Sequence, residues 1–381
     1  MSSLVRLFRR ASSTLTANPT SNINSTKAVV KSLYDERNLK KLVEKFKQHS
    51  HSDRFRMQIG IYRNTVRRLA SAKRFNWIED ILEYQKQFTH DLSKEGFAVR
   101  LISLYGDSRM FDNAQKVFDE MPELNCERTV LSVNALLGAC VSSRKFDKVE
   151  GLFRELTEKL NVKPDVFTYN TVIKAVSELG SPEKYISLMD EMEENGIKPD
   201  TITFNPILMA CYANGKFDDG EKLWSRMVAK NVVPDIRSYN ARLLGLANEG
   251  RMNEAVECFN DLGSKKLKAD VFSFGAIIRG YYLEDNLEEV KTWYRKVIEN
   301  NFAPDKGIFS YAVSLACKKG DYDWGFEICQ EIFKRKCSVD EQLLQNVVDG
   351  LVKESRIDDA KQMAEMGKSN NYRQYDLRLP S

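Results

Sequence analysis

Residues 166–340 repeat themselves. They divide into five units of 35 residues with no insertion or deletion, beginning at Val166, Thr201, Ile236, Val271 and Lys306 and ending at Asp200, Asp235, Asp270, Asp305 and Asp340. Pro-Asp steps mark the boundaries at Pro164-Asp165, Pro199-Asp200, Pro234-Asp235 and Pro304-Asp305. A fixed period of this length requires a stack of repeated supersecondary units, because each unit must bury its apolar faces on its neighbours. In the unit from Val166, Tyr169, Val172, Ile173 and Val176 form one apolar set and Tyr185, Leu188, Met189 and Met192 a second. Both sets have the i, i+3, i+4, i+7 spacing of a helix buried on one face. Leu179-Gly180 breaks the chain between them, Asn195-Gly196 supplies a left-handed helix stop, and Lys198-Pro199 forces an extended link. Each unit is therefore a helical pair.

The flanks are less regular. Residues 23–58 read as a degenerate first repeat, with Asn38, Leu39, Leu42 and Phe46 where a second helix carries its apolar positions. Residues 59–94 and 95–129 follow as further units, and residues 130–165 form a 36-residue version whose extra residue is expected in the Leu160-Asn161-Val162 loop. Pro206 lies in a first helix, near its start, where a missing N–H costs little. A partial unit begins at Glu341, and residues 372–378 carry no repeat pattern and read as a cap of the stack or a partner contact.

Charge separates the ends. Residues 1–34 contain Arg6, Arg9, Arg10, Lys27 and Lys31, no acidic residue, and many Ser and Thr. This is the composition of an organellar transit peptide or disordered leader, and the early arginines favour the mitochondrial matrix over the plastid. The whole chain is +4, residues 35–94 are +6, and residues 95–381 are −7. The long array therefore lacks the basic face of a non-specific nucleic-acid binder. Basic residues gather instead at Arg54, Arg56, Arg63, Arg67, Arg68, Lys73 and Arg74, readable either as a solvated face or as a phosphate-contact patch. The domain plan is thus a leader (1–34), degenerate basic repeats (35–94), the array (95–340), and a partial repeat with tail (341–381).

The unit V-F-T-Y-N-T-V-I-K-A-V-S-E-L-G-S-P-E-K-Y-I-S-L-M-D-E-M-E-E-N-G-I-K-P-D resembles the pentatricopeptide repeat, over roughly residues 59–366. The resemblance implies an all-α, right-handed α-solenoid of about nine 35-residue helix-turn-helix repeats that binds single-stranded RNA, one base per repeat. In that family the fifth and last residues of a repeat choose the base and the second packs on its plane. Carried onto this chain, the reading pairs are Asn134 with Asp165, Asn170 with Asp200, Asn205 with Asp235, Asn240 with Asp270, and Ser310 with Asp340. Gly275 with Asp305 has no side chain to read with, and Val99 with Thr129 fits no useful pair. The packing residues are Phe167, Ile202, Arg237 and Phe272, with Gly307 unable to pack. Asn with Asp implies uracil, and Ser with Asp leans towards guanine. The rival reading is that the same Asn and Asp residues only cap or orient helices.

No catalytic set is visible. The deaminase ligands H-x-E and C-x-x-C, a phosphate-binding glycine loop and a nucleophile elbow are all missing from the sequence. The seven cysteines read as small core residues, His49, His51 and His90 carry no metal pattern, and no cofactor, metal, small-molecule substrate or membrane is implied. Two functions remain open. The segments T-V-R-R-L-A-S-A-K-R-F, S-K-E-G-F, N-A-Q-K-V-F-D-E-M-P, R-S-Y-N-A-R-L-L-G-L-A and L-R-L-P-S resemble a group of short plant mitochondrial pentatricopeptide proteins found in the mitochondrial ribosome, chiefly its small subunit. That likeness implies ribosomal RNA and mitochondrial ribosomal proteins as partners, in translation. The alternative is a free factor that binds a U-rich single strand of a messenger and protects, processes or activates it.

Overall fold

The aspartates that close the 35-residue units start helices. A computed structural model describes residues 20–379. In this structure Asp200, Asp235 and Asp270 are N-caps, and the third helical residue of each (Thr203, Ser238, Ser273) bonds back to the cap amide. The reciprocal box satisfies donors that a helix start otherwise leaves unpaired. Helix ends are set by left-handed residues, among them Gly180 at φ +70° and Gly196 at φ +75°. Glycine takes this conformation without steric cost.

The chain divides into two compact units, residues 1–172 and 173–381. The described part of the first contains α1 (Thr20–Asp35), α2 (Leu39–His49), single-turn α3 (Asp53–Arg56), α4 (Ile59–Ser71), α5 (Phe75–Glu83), single-turn α6 (Thr89–Leu92), α7 (Glu95–Asp107), α8 (Phe111–Glu120), α9 (Val130–Ser142) and α10 (Phe146–Lys159). The division falls within α11 (Val166–Glu178). The second unit continues with α12 (Pro182–Glu194), α13 (Thr201–Ala213), α14 (Phe217–Ala229), α15 (Ile236–Asn248), α16 (Met252–Asp261), α17 (Val271–Leu283) and α18 (Leu287–Glu299). It ends with α19 (Lys306–Lys319), α20 (Tyr322–Lys334), α21 (Glu341–Lys353) and α22 (Ile357–Ser369). The architecture is all-α among the described residues. Its helix pairs, irregular ones at both ends included, account for the expected array of about nine repeats.

In the second unit consecutive first helices pack side by side, α13 on α15, α15 on α17, α17 on α19 and α19 on α21, and α14, α16, α18, α20 and α22 each fold back on the first helix of their pair. In the first unit α4 packs on α7 and α7 on α9 in the same way. The apolar residues that the period selects form the core: Tyr169, Val172, Ile173, Val176, Tyr185, Leu188, Met189 and Met192 are all buried. Burying each such side chain contributes about 1.5–3 kcal/mol. In the first unit α7 approaches α9 closely enough that a Cβ on Gly106 would lie 2.6 Å from the Ala139 Cα.

Four local expectations change. Of the leader read over residues 1–34, residues 1–19 lie outside the described residues, but residues 20–34 belong to α1, whose Leu33 is buried. The extra residue of the 36-residue repeat is not in the 160–162 loop. It lengthens α10 to 14 residues, against 13 in α12 and α14, and the link to the next helix keeps its length. Pro206 is the sixth residue of α13, past the unpaired amides of the first turn, so it forfeits a bond to the carbonyl of Ile202, on an exposed turn. Asn38 is the N-cap of α2 and not an apolar position, its side chain accepting from the Lys40 and Lys41 amides.

The segment after α22 folds back as a cap. Tyr375 and Leu377 are buried, the Tyr375 hydroxyl accepts the Val339 N–H at 3.2 Å, and Arg373 donates to the Val339 carbonyl at 3.0 Å. The last helical pair thus covers its open face with its own chain.

Candidate nucleic-acid interface

The fifth residue of a repeat meets the start of the next repeat. In the second unit the Asn205 amide donates to Asp235 Oδ1 at 3.0 Å and its oxygen accepts from the Ser238 hydroxyl at 2.6 Å. Asn240 repeats the arrangement with Asp270 at 2.9 Å and Ser273 at 2.6 Å. In the first unit Asn134 does so with Asp165 at 3.1 Å and Thr168 at 2.7 Å. Carboxylates only accept, so the amide nitrogen must face the aspartate and the oxygen the hydroxyl, which fixes the orientation of each amide. Each asparagine then has one N–H and one oxygen lone pair left. Asn134 and Asn240 are only 7% exposed, so what remains is a narrow polar edge.

The aspartates serve two ends at once. Asp235 Oδ1 accepts the amides of Arg237 and Ser238, and Asp270 Oδ1 those of Phe272 and Ser273, while each also takes the asparagine amide. Capping and amide positioning are therefore one network, and the two readings left open by the sequence are not exclusive. The hydroxyls of Thr168, Ser238 and Ser273, which complete each network, went unnoticed in the sequence. Their signal was the recurrence of Ser or Thr at the third residue of a unit. Asn170 is buried in α11, and Asp200 caps α13. Ser310 and Asp340 are not joined. The third residue of the following repeat is Leu343, without a hydroxyl, and the Asp340 carboxylate bonds the Gln342 amide at 2.9 Å.

The second residues stand beside these edges and face outward. Phe167, Ile202, Arg237 and Phe272 are all exposed, Phe272 to 66%. Leu131, at the same position of the 130–165 repeat, is also exposed and had not been singled out. At the last repeat the fifth residue is Gln345, and its amide is already taken. Its nitrogen donates to Asp349 at 2.7 Å and to the Arg378 carbonyl at 2.8 Å, and its oxygen accepts the Arg378 N–H at 2.9 Å.

The basic patch of the first unit divides into two groups. Arg56 and Arg68 are engaged within the protein. Arg56 is buried, pairs with Asp53 and Asp91, donates to the Ser50 carbonyl at 2.7 Å and lies 4.1 Å from the Phe88 ring centroid. Arg68 closes the end of α1 by donating to the carbonyls of Leu33 and Glu36. Arg54, Arg63, Arg67, Lys73 and Arg74 are exposed, and Arg74 lies against Trp77. Arg63 and Arg67, one turn apart on α4, line a cavity of about 860 Å³ with Tyr34, Asn64 and Asp107. Among the described residues no His, Cys, Asp or Glu cluster is arranged to hold a metal ion. Burial pushes the Cys140, Cys258 and Cys317 thiols up to about 11.

Comparison with known proteins agrees with the repeat architecture. The PPR repeat family model matches residues 128–178, 164–211, 199–248 and 235–283, and the PPR repeat model matches 100–126 and 272–302. The chain is 56% identical over 162 residues to the small ribosomal subunit protein mS79 of Arabidopsis thaliana, covering 42% of this chain and 41% of that protein. It is 40% identical over 146 residues, 38% of this chain and 34% of the other, to a mitochondrial pentatricopeptide repeat-containing protein of the same plant. The chain thus spans about two fifths or less of the length of these relatives. In fold it is similar to the pentatricopeptide repeat protein PPR10 from maize, with a TM-score of 0.51 at 16% identity, over 92% of this chain and 54% of that one. Repeat models that fall in register on the helical pairs, and relatives built of the same repeat, lead to one conclusion: the chain belongs to the pentatricopeptide repeat family.

Proposed function

We propose that this chain is an RNA-binding component of the small subunit of the mitochondrial ribosome, holding ribosomal RNA and neighbouring ribosomal proteins, and that it acts in translation by binding and not by catalysis. The observation that carries this reading is the 56% identity to a small ribosomal subunit protein. The mitochondrial location is supported by the basic, acid-free composition of residues 1–34 and by the mitochondrial relative. The charge distribution fits as well. An array of −7 over residues 95–381 attracts a free strand weakly, whereas a basic site near one end suits a structured RNA held jointly with other proteins.

Contact with RNA is divided between two sets of residues. Arg54, Arg63, Arg67, Lys73 and Arg74 meet phosphates. The Asn–Asp pairs, flanked by Phe167, Ile202, Arg237 and Phe272, meet unstacked bases. A uracil edge offers an N–H beside a carbonyl, complementary to the acceptor and donor that each bonded asparagine retains. These repeated, pre-oriented amides also support the second reading, a free factor that reads a U-rich messenger. Crosslinking of a tagged protein in isolated mitochondria, followed by sequencing of the bound RNA, separates the two. Reads concentrated on small-subunit ribosomal RNA support the first. Reads at one U-rich messenger site overturn it.

A further inference from the structure

Arg279 is a cation with positioned hydrogen-bond partners and no counter-ion. It lies half-buried in α17, at i+7 from Phe272 and i+4 from Gly275, so it shares the helix stripe of the exposed packing residue and of the reading position that has no side chain. Its Nε donates to Asn248 Oδ1 at 2.8 Å, and its Nη1 donates to the Tyr311 hydroxyl at 2.7 Å. The Asn248 amide is itself oriented, its nitrogen donating to the Tyr212 carbonyl at 3.2 Å. Four successive first helices, α13, α15, α17 and α19, thus fix one guanidinium. Both of its partners are neutral. Arg226, Arg242, Arg251, Arg335 and Arg356 of the same unit all pair with carboxylates, whereas no carboxylate pairs with Arg279 among the described residues. Two of the five guanidinium N–H groups are used. Three remain, as a fork suited to the oxygens of an anion.

We propose that Arg279 binds a phosphodiester of the RNA strand, at the repeat where Gly275 leaves the base unread. The inference rests on the RNA-binding reading above and adds a site to it. The strand is held by its backbone at this repeat and by base edges in the repeats with bonded asparagines. A partly desolvated cation without a counter-ion, in a region of negative net charge, gains most from an anion. A planar fork also matches a phosphate's geometry better than a base's single acceptor.

The test is salt-dependent binding of the full chain to a labelled 12-nucleotide oligouridine and to a mixed-sequence strand of equal length, for wild type, Arg279→Gln and Arg279→Lys. A single-strand phosphate contact contributes about 0.7 to the slope of log affinity against log salt. Arg279→Gln is expected to weaken both strands by the same factor and to lower the slope by about that amount, while Arg279→Lys retains the slope. An unchanged slope, or a loss confined to one sequence, overturns the proposal. If Arg279→Gln does not fold, Tyr311→Phe replaces it and removes one positioning hydroxyl. Weaker binding to both strands then supports the site, and unchanged binding overturns it. Failure of the wild type to bind either strand overturns the RNA-binding reading itself, which is distinct from an Arg279 variant that binds like wild type.

Discussion

At the scale of the residue, the same side-chain type serves opposite ends. Arg56 and Arg63 belong to one basic cluster in the sequence, yet Arg56 is buried against Asp91 and Phe88 while Arg63 faces solvent. Arg56→Ala leaves Asp91 with only the exposed Lys94 as its partner and is expected to cost the first unit about 1.5–3 kcal/mol by denaturant melting. The double variant Arg63→Gln, Arg67→Gln is expected to leave stability within about 0.5 kcal/mol and to reduce RNA affinity and its salt slope. Burial pushes the Asp91 carboxyl up, but bonds from Arg56, helped by Lys94, hold it below its ordinary value. Its contribution is therefore complete above the unfolded-state value and is lost as pH falls through the lower folded one, below about pH 4. The bonded asparagines combine both roles. Asn205→Ala and Asn240→Ala each remove two hydrogen bonds, with an expected stability loss of about 1 kcal/mol. Each should also weaken a U-rich strand by about 1–3 kcal/mol, measured by titration. Unchanged affinity in both would leave these amides as helix connectors only.

At the scale of the element, the sequence was most informative where the period was strict. Helix existence, the apolar faces and the aspartate caps follow from local pattern, because each helix is specified by residues within its own 35. Departures came where a choice depended on distant chain. The added residue of the 130–165 repeat extends α10 by one residue at its end, which keeps the link to α11 unchanged. The fates of Arg56 and Arg68 depend on Asp91 and on the α1 carbonyls, more than thirty residues away. The site was half legible. Fifth and last residues were visible as a recurring pair, but the third-residue hydroxyls that join them, and Arg279, acquire meaning only when neighbouring helices are stacked. Packing at this scale is testable at Gly106, where alanine must push its Cβ into the backbone of α9. Gly106→Ala is expected to destabilise by about 1–3 kcal/mol in a melting experiment, although alanine is the better helix former. Ending the chain after Asn370 removes buried Tyr375 and Leu377 and frees Gln345. That variant should lose about 2–5 kcal/mol in the last repeats, read as early loss of amide-exchange protection in α21 and α22.

At the scale of the whole molecule, charge and likeness point the same way. The array is long enough to follow several nucleotides but carries a net −7 over residues 95–381. On the proposed function, such a chain gains RNA affinity from company more than from its own field. The most direct measurement is sedimentation of the tagged protein from purified mitochondria at high and at low magnesium. The account predicts co-migration with the intact small subunit at high magnesium, and continued migration with the small-subunit particle when low magnesium separates the subunits. Recovery in light fractions under both conditions, with no small-subunit ribosomal RNA, would contradict it.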